Sequence, residues 1–369
     1  MADPRVGIVG AGQLGRMMAL AAYPLGIECR FLDTRKDSPG GQVGFIHTAE
    51  LDDISSLRTL AGEVDVVTFD IENVSTDALR DLETITAVRP GPDAVGTTQD
   101  RLDEKQLFSE LGIPTGPYRA VHSTEELAQV AADLGLPLVL KARRLGYDGR
   151  GQRIVTRHDE IKTAWTDLGG VPCIAEAFVH FDRELSIIGV RGLDGEIRSY
   201  PLSENAHEDG ILKSTIAPYD DTALHADAHQ FLTRVLSHFN YVGVLTIEFF
   251  STPDGLLANE IAPRVHNSGH WTIEGAETSQ FENHIRAIVG LPLGSTQPRG
   301  HSAMINLLGT IPERSQLLAV PGLKLHDYGK SPRPGRKLGH CTLNDDNRDR
   351  LKARLNQTLR SLATAQLRP

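Results

Sequence analysis

Two glutamates that flank a predicted hairpin turn are the residues of this sequence with the clearest chemical use. The segment VLTIEFFSTPDGLLANEIA alternates apolar and polar positions around the turn residues PDG, which predicts a β-hairpin. A turn centred on Asp254 places Glu248 and Glu260 opposite each other. Like charges at ~4 Å repel by about 4 kcal/mol at an effective dielectric constant of ~20, and a divalent cation between them removes that repulsion. With Asn259 as a further oxygen donor, the pattern predicts a Mg²⁺ site, unless a register slip turns one glutamate to solvent.

Basic and polar side chains follow the hairpin in the segment APRVHNSGHW. Arg264 and His266 are two residues apart, so in an extended chain they share one face and can grip a small oxyanion. His266 and His270 are four residues apart, which could also suggest zinc. The sequence has no HExxH motif and no third ligand at a recognisable spacing, so we favour the oxyanion interpretation.

A glycine-rich stretch, KARRLGYDGRGQ, follows a predicted strand in the middle of the chain. Its glycines let backbone N–H groups converge on an anion without obstruction by a Cβ atom, and Lys141 and Arg150 add positive charge. The stretch lacks the GxxxxGK[ST] pattern of a Walker A loop. It therefore predicts either a phosphate-binding loop of another kind or a simple glycine-rich hairpin turn.

A second glycine pattern opens the chain, in RVGIVGAGQLGRMM. Gly10, Gly12 and Gly15 have the GxGxxG spacing of a dinucleotide-binding loop, and Asp33 ends the next predicted strand, where a ribose-binding carboxylate would stand. This pattern alone predicts an NAD-dependent dehydrogenase, but the motif is weak without support elsewhere in the chain.

The charge distribution limits the partners of this protein. A formal net charge of -10 argues against nucleic acid or an anionic membrane as the main partner. An anionic ligand must instead meet a local basic cluster, such as KSPRPGRK, which contains Lys330, Arg333, Arg336 and Lys337. The alternative for this cluster is a solvated surface.

The composition is that of an ordinary globular protein. No apolar run approaches the ~20 residues needed to span a bilayer, and the N-terminus enters a strand at once, so we expect a cytoplasmic protein without a signal peptide. Cys29, Cys173 and Cys341 are widely spaced and form no CxxC motif, so we expect reduced core thiols.

The predicted elements divide the chain of 369 residues into three parts. Residues 1–116 alternate short strands with helices, as in an open parallel sheet. Residues 117–182 form a small α+β unit, in which Ser123 and Glu126 make a capping box and Gly135 ends the helix. Residues 183–369 form a second α+β unit with the glutamate pair and the basic cluster.

Taken together, these features resemble the ATP-grasp superfamily. The motifs GAGQLGRM, DRLDEKQLF, GYDGRGQ, NEIAPRVHNSGHWT, SQFENHIRAI and PGRKLGH look like those of the N5-carboxyaminoimidazole ribonucleotide synthetases, over essentially the whole chain. The resemblance implies an ATP-grasp fold with an N-terminal Rossmann-like sheet, a small α+β lid and a C-terminal α+β domain. Family members often have EIE where this chain has DIE at residues 70–72, a conservative change.

The resemblance implies the reaction, its co-substrate and its Mg²⁺ requirement. The family carboxylates 5-aminoimidazole ribonucleotide (AIR) with bicarbonate at the expense of ATP, through carboxyphosphate, in purine biosynthesis, and we expect a homodimer. ATP phosphates are then held by Arg101 and Lys141, the adenine by residues 176–179 and the ribose by Glu184. The full set implied for ATP and its metal is Arg101, Lys141, Gly146, Tyr147, Asp148, Gly149, Arg150, Gly151, Gln152, Glu176, Ala177, Phe178, Val179, Glu184, His207, Asn259 and Glu260, with Glu248 and Glu260 as metal ligands.

The other two implied sets handle bicarbonate and AIR. The residues expected to position bicarbonate or carboxyphosphate and to act in catalysis are Arg264, His266, Asn267, Asp148 and Arg150. The residues expected around AIR are Gln13, Glu72, Tyr147, Asp148, Arg150, Lys330, Arg336 and Lys337, the last three near its phosphate.

Three alternatives remain open at this point. A related ATP-grasp enzyme that acts on glycinamide ribonucleotide with formate, or a biotin carboxylase, shares the core. An NAD-dependent oxidoreductase needs only the first glycine pattern. An ATP-binding regulator without catalysis is disfavoured because every expected metal and phosphate position is filled.

Overall fold

The computed structural model describes residues 4–146, 149 and 151–366, and its first part is a parallel sheet with helices. The elements are β1 (Arg5–Val9), α1 (Gln13–Ala22), β2 (Glu28–Asp33), β3 (Phe45–Thr48), α2 (Ile54–Gly62), β4 (Val66–Phe69), α3 (Thr76–Leu82), β5 (Ala87–Val88) and α4 (Pro92–Thr98). The described strands pair in the order β3-β2-β1-β4-β5, all in parallel. The predicted Rossmann-like sheet is confirmed.

The second part is a small antiparallel sheet with its own apolar core. Helix α5 (Arg101–Glu110) precedes it and packs in a cluster with residues of the third part. The elements of the small sheet are β6 (Tyr118–Val121), α6 (Thr124–Leu134), β7 (Leu138–Ala142), β8 (Gln152–Val155), α7 (Ile161–Asp167) and β9 (Cys173–Ala177). The strand order is β6-β9-β7-β8. Ser123 Oγ accepts a hydrogen bond from Glu126 N, and Gly135 ends the helix at a φ of 80°, as the sequence predicted.

The third part is a large antiparallel sheet flanked by helices. Its elements are β10 (Arg183–Arg191), β11 (Ile197–Ser199), β12 (Ser203–Glu208), β13 (Ile211–Ala217), α8 (Thr222–His238), β14 (Gly243–Thr252), β15 (Gly255–Ala262), α9 (Thr272–Gly275), α10 (Gln280–Val289), β16 (His301–Leu308), α11 (Arg314–Leu318), β17 (Lys324–Asp327), β18 (Lys337–Asp345) and α12 (Arg348–Gln366). The strands pair in the order β15-β14-β10-β12-β13-β16-β18-β17, with β11 on β10.

The first and third parts share one apolar core, whereas the lid sheet has its own. Met18 of α1 and Phe281 and Ile285 of α10 lie in a single buried cluster. Thr68 Oγ1 also lies 2.9 Å from His284 Nε2, which links β4 to α10. Residues of β6, α6, β7, β8 and β9 pack in a separate cluster. The first and third parts are therefore packed against each other, whereas the lid sheet has a separate core. The domain boundaries at 116 and 182 remain predictions.

Two expectations about the chain as a whole can be compared with the structure. The three cysteines are buried and unpaired, and burial raises the pKa of Cys29 and of Cys341 to about 12, in agreement with reduced core thiols. Among the described helices, none combines the length and the apolar character that a membrane span requires.

Candidate active site

The β14–β15 hairpin places Glu248 opposite Glu260, as predicted, but for a different reason. The turn is tighter than expected, because Thr252 pairs with Gly255. An uninterrupted ladder from that turn would put Asn259 opposite Glu248. The register shifts between Glu248 and Phe249, so that Asn259 becomes the extra residue of a β-bulge and Glu260 takes the position opposite Glu248.

The two carboxylates differ in their surroundings. The Glu248 side chain is 13% exposed, and burial together with the Glu260 charge raises its pKa. Glu260 faces the cleft with its side chain 41% exposed. Desolvation opposes ionisation of Glu260, but Arg101, at 3.2 Å, and Lys141 outweigh it and lower its pKa. In the pair, Glu260 is therefore held ionised by its cationic neighbours, whereas ionisation of Glu248 is disfavoured.

The donor set at this pair fits a hard cation. Two facing carboxylates and the Asn259 Oδ1 atom, which is buried without a hydrogen-bond partner, offer oxygen ligands only. In the described ranges, no cluster of three or more His, Cys, Asp and Glu side chains forms a complete metal cage. Mg²⁺ suits such a site because it usually keeps water and substrate phosphate oxygens in its shell.

Helix α5 and the lid strands supply the cations nearest to this pair. Arg101, at the start of α5, contacts Glu260 Oε2 at 3.2 Å and Gly146 O at 3.4 Å. Lys141 on β7 makes an ion pair of 2.9 Å with Glu176 Oε1, and Lys105 lies 3.4 Å from Glu176 Oε2. Burial raises the pKa of Glu176, but the two lysines outweigh it and hold this pKa at about 2. Glu176 thus holds the side chains of both lysines at the lid sheet.

The structure describes Gly146, Gly149, Gly151 and Gln152 of the predicted lid loop. Gly149 and Gly151 have φ angles of +73° and +71°, values that other residues rarely adopt. Gln152 begins β8 and pairs with Lys141. Tyr147, Asp148 and Arg150, which the resemblance assigns to ATP, AIR and catalysis, lie outside the described residues.

The predicted adenine and ribose contacts lie on consecutive strands of two different sheets, β9 and β10. The N–H groups of Ala177 and Phe178 already donate to Pro117 O and Pro137 O, so these two donors of the segment 176–179 are occupied. Glu184 on β10 and His207 on β12 lie 2.6 Å apart through Oε2 and Nδ1. Burial lowers the pKa of His207, but this contact and the Glu248 charge outweigh it, and the net shift is upward.

The predicted oxyanion residues lie at the other end of the glutamate pair. Arg264 makes an ion pair of 2.7 Å with Glu72, and His266 Nε2 is 3.7 Å from Glu248 Oε1. Burial and the Arg264 charge lower the pKa of His266 well below its usual value. The Asn267 amide is buried, and neither its nitrogen nor its oxygen has a hydrogen-bond partner. These groups can bind a small anion.

The basic cluster is divided between the cleft and the surface. Lys330 Nζ donates to Gln13 Oε1, and burial lowers the pKa of Lys330 to about 8. Arg336 is half-buried and donates to Ser331 O, whereas Arg333 is exposed. Lys337 begins β18. The structure therefore brings together Gln13 and Lys330, which are distant in sequence, and places Arg333 on the surface.

The N-terminal glycine loop already has two internal carboxylate partners. Asp33 Oδ2 accepts from Ala11 N at 2.6 Å, and Asp70 Oδ2 accepts from Gly15 N at 3.1 Å. A Cβ atom on Gly10 would lie 1.9 Å from Asp70 Oδ1. A dinucleotide pyrophosphate would meet the Asp70 carboxylate here, so the loop does not support NAD binding.

Sequence reasoning missed three polar residues at the start of α5, Asp100, Glu104 and Lys105. Asp100 accepts two hydrogen bonds of 2.8 Å from Arg143 and one of 3.1 Å from Arg144, at the base of the lid loop. Glu104 and Lys105 contact β15. The motif DRLDEKQLF was the only signal for them, since their partners are about 150 residues away in sequence.

Family models match most of the chain in three consecutive parts. Residues 3–99 match the ribonucleotide synthetase preATP-grasp domain, residues 106–281 the ATP-grasp domain, and residues 302–354 the phosphoribosylaminoimidazole carboxylase C-terminal domain.

Curated relatives and solved structures agree with these matches. The chain is 49% identical to the N5-carboxyaminoimidazole ribonucleotide synthase of Pseudomonas aeruginosa, over 95% of this chain and 97% of that protein. It is similar to the crystal structure of the synthetase from Thermus thermophilus, with a TM-score of 0.92 and 48% identity over 96% of this chain and 98% of that one. The Aspergillus clavatus enzyme in complex with ADP and AIR gives a TM-score of 0.91 and 32% identity over 98% and 99% of the two chains. The chain therefore belongs to the N5-carboxyaminoimidazole ribonucleotide synthase family of ATP-grasp enzymes, which confirms the resemblance found in its sequence.

Proposed function

We propose that the cleft between the three parts carries out the reaction of this family, the ATP-dependent carboxylation of AIR with bicarbonate, with Mg²⁺ at Glu248 and Glu260. The observation that carries this proposal is the position of the glutamate pair. Glu260 lies 3.2 Å from Arg101, on the side of the lid cations, and Glu248 lies 3.7 Å from His266, on the side of the oxyanion groups. One carboxylate pair thus joins a phosphate-binding region to a region that fits bicarbonate.

At the ATP end, the chain holds the polyphosphate with fixed cations. Lys141 and Arg101 lie beside the lid loop, where they can neutralise negative charge that develops on the transferred phosphoryl group. Glu184, held by His207, accepts hydrogen bonds from the ribose hydroxyls. Glu248 and Glu260 would hold Mg²⁺, which would supply charge neutralisation for the ATP phosphates.

At the oxyanion end, Arg264, His266 and Asn267 orient bicarbonate toward the γ-phosphate. A bicarbonate oxygen attacks the γ-phosphorus, the bond to the β-phosphate oxygen breaks, and ADP and carboxyphosphate result. His266 is neutral near pH 7 because burial and Arg264 lower its pKa, and its Nδ1 atom accepts from Ser268 N, so its Nε2–H group can donate a hydrogen bond to the anion. Closure of the lid loop over this site excludes water, which would hydrolyse the intermediate.

The second step uses the AIR contacts. The exocyclic amine of AIR attacks the carboxyphosphate carbon, the bond between that carbon and the phosphate oxygen breaks, and the leaving phosphate takes the proton that the amine loses. Gln13 and Lys330, in contact with each other, with Glu72, Arg336 and Lys337, surround AIR. The positive charge of the C-terminal residues matches the phosphate dianion of the ribonucleotide.

An assay of ADP release tests the function. ADP should form rapidly when AIR, bicarbonate and Mg·ATP are all present. Omission of bicarbonate or Mg·ATP should reduce its release to background, and omission of AIR should reduce it to the slow rate of carboxyphosphate hydrolysis. ADP release with glycinamide ribonucleotide and formate instead of AIR and bicarbonate would favour the related ATP-grasp ligase and overturn the proposal. The homodimer and the cytoplasmic location are further parts of the proposal; sedimentation of the purified protein tests the first, and fractionation of cells tests the second.

A further inference from the structure

We infer that Glu104 and Lys105 of α5 are positioning residues that hold the β15 bulge and so present Glu260 to the metal. This inference rests on the metal site of the proposed function. It goes beyond that proposal because the proposed function assigns no substrate contact to Glu104 or Lys105.

The contacts place one helix face against consecutive residues of β15. Lys105 Nζ donates to Ala258 O at 3.1 Å and to Asn259 O at 2.9 Å. Glu104 Oε1 accepts from Ile261 N at 2.6 Å. Arg101, one helical turn earlier, contacts the Glu260 side chain itself. Residues at i, i+3 and i+4 share one face of a helix. This face of α5 therefore hydrogen-bonds to β15 on both sides of Glu260, at Asn259 and at Ile261.

A bulge needs such partners because it removes backbone groups from the ladder. The extra residue of a bulge is left without a cross-strand partner, and an unpaired polar group costs about 1–3 kcal/mol when buried. Lys105 satisfies the carbonyl of Asn259, the extra residue, and the carbonyl before it. Without these bonds, the regular ladder that places Asn259 opposite Glu248 gains in relative stability, and Glu260 leaves the metal-facing position.

The same lysine also joins the hairpin to the lid sheet. Its third partner is Glu176 on β9, at 3.4 Å, and its side chain is only 3% exposed. A buried ammonium group is costly unless its three donors are satisfied, and here three acceptors surround it. Lys105 therefore fixes the distance between the lid strand that carries Glu176 and the strand that carries Glu260.

Mn²⁺ binding in the presence of ADP tests this role without turnover. We expect Lys105→Met to weaken Mn²⁺ binding by about 10–100-fold, as found for residues that orient metal ligands, with the metal measured by loss of the free Mn²⁺ EPR signal. Gln106→Met is the matched control, because Gln106 is exposed on the same helix, and it should bind Mn²⁺ as the parent does. Unchanged Mn²⁺ binding in Lys105→Met, or a loss limited to ADP affinity, would overturn the inference, since the lysine would then serve only Glu176.

A second pair of variants, at Glu104, tests the positioning role even if Lys105→Met fails to fold. Glu104→Gln keeps an oxygen acceptor for Ile261 N, whereas Glu104→Leu removes it at similar size. If the hydrogen bond from Ile261 N to Glu104 positions Glu260, Glu104→Leu should weaken Mn²⁺ binding more than Glu104→Gln does. Equal effects of both variants would contradict it. If the parent protein binds no Mn²⁺ in the presence of ADP, the proposed metal site itself fails. If the parent binds Mn²⁺ and the Lys105 and Glu104 variants bind it equally well, the proposed function stands and the positioning role is refuted.

Discussion

The chain has two glycine-rich loops that follow strands, and the two differ in what surrounds their backbone N–H groups. In the N-terminal loop, Ala11 N and Gly15 N donate to Asp33 and Asp70. The negative charge that such a loop usually takes from a bound phosphate is provided by the protein's own side chains.

The lid loop has the opposite surroundings. Lys141 lies on the strand before it, and Arg101 contacts Gly146 O. Both cations are anchored by carboxylates, Lys141 by Glu176 and Arg101 by Glu260. An incoming phosphate therefore meets positive charge that is already in place.

This comparison shows why a glycine pattern alone does not identify a ligand. Glycine spacing determines whether backbone N–H groups can converge, but side chains from other parts of the chain determine whether an anion is still needed there. Asp70 is 55 residues from Gly15 and belongs to another strand. The first loop had the better-known sequence pattern, yet the second loop has the surroundings of a nucleotide site.

The largest expected effect comes from the glutamate pair, Glu248 and Glu260, which lies next to the cations of the lid loop. Glu260→Gln should abolish turnover, because it removes half of the carboxylate pair. The same change leaves Arg101 without its charged partner at 3.2 Å, so without Mg²⁺ the variant should melt somewhat below the parent temperature. Steady-state rates and thermal melting with and without Mg·ATP measure both effects. Parent-like turnover would contradict the metal site.

The internal anion of the first loop should appear in the pH dependence of stability. Burial raises the pKa of Asp70 from 3.8 to about 6. Between these values the folded state keeps a proton that the unfolded state has lost, so the Asp70 contribution to the free energy of unfolding falls as pH rises from about 4 to about 6. Asp70→Asn removes this dependence and should stabilise the protein at pH 7 by up to about 3 kcal/mol.

Denaturant unfolding at several pH values measures this difference. Asp52→Asn, at an exposed aspartate of the same domain, is the control and should follow the parent curve. If the Asp70→Asn and parent curves run parallel from pH 4 to pH 7, the carboxylate is not a buried charge in the loop.

The basic cluster offers a matched pair of arginines for the third prediction. Arg336→Ala should raise the KM for AIR by about 10–100-fold and leave that for ATP unchanged, for the ~1.5–3 kcal/mol of a charge-assisted hydrogen bond. Arg333 is exposed in the same cluster, so Arg333→Ala should change neither constant. Equal KM values for AIR in both variants and the parent would place the ribonucleotide phosphate elsewhere.

Local signals in the sequence were sufficient for some elements of the fold. Ser123 and Gly135 lie at the ends of α6 because capping and the φ angle of a helix end depend on adjacent residues. The β-hairpin was predictable from alternation, and Glu248 does face Glu260. The bulge that produces this register was not predictable, because Lys105 and Glu104 satisfy its backbone groups from a helix that precedes it by about 150 residues.

The site was predictable in its residue types more than in its contacts. Arg264 and Glu72 were assigned to separate ligands, yet the structure joins them at 2.7 Å, a contact between distant segments. Lys330 and Arg333 belong to one basic run in the sequence, but only Lys330 reaches the N-terminal loop. The assigned ligand contacts remain predictions, and those of Tyr147, Asp148 and Arg150 lie outside the described residues.

The smallest effect is expected at the residue that most resembles a dinucleotide ligand. Asp33 ends β2 where an NAD-binding carboxylate would stand. Its Oδ2 atom, however, accepts a hydrogen bond from Ala11 N, and its Oδ1 atom accepts one from Ser38 Oγ. Asp33→Ala should leave the affinity for ATP unchanged in calorimetry, while the lost acceptors lower the free energy of unfolding by about 1–3 kcal/mol. NADH should bind neither the parent nor the variant. A folded Asp33→Ala protein that no longer binds ATP would show that the nucleotide lies at the first loop, and the two glycine loops would exchange their roles.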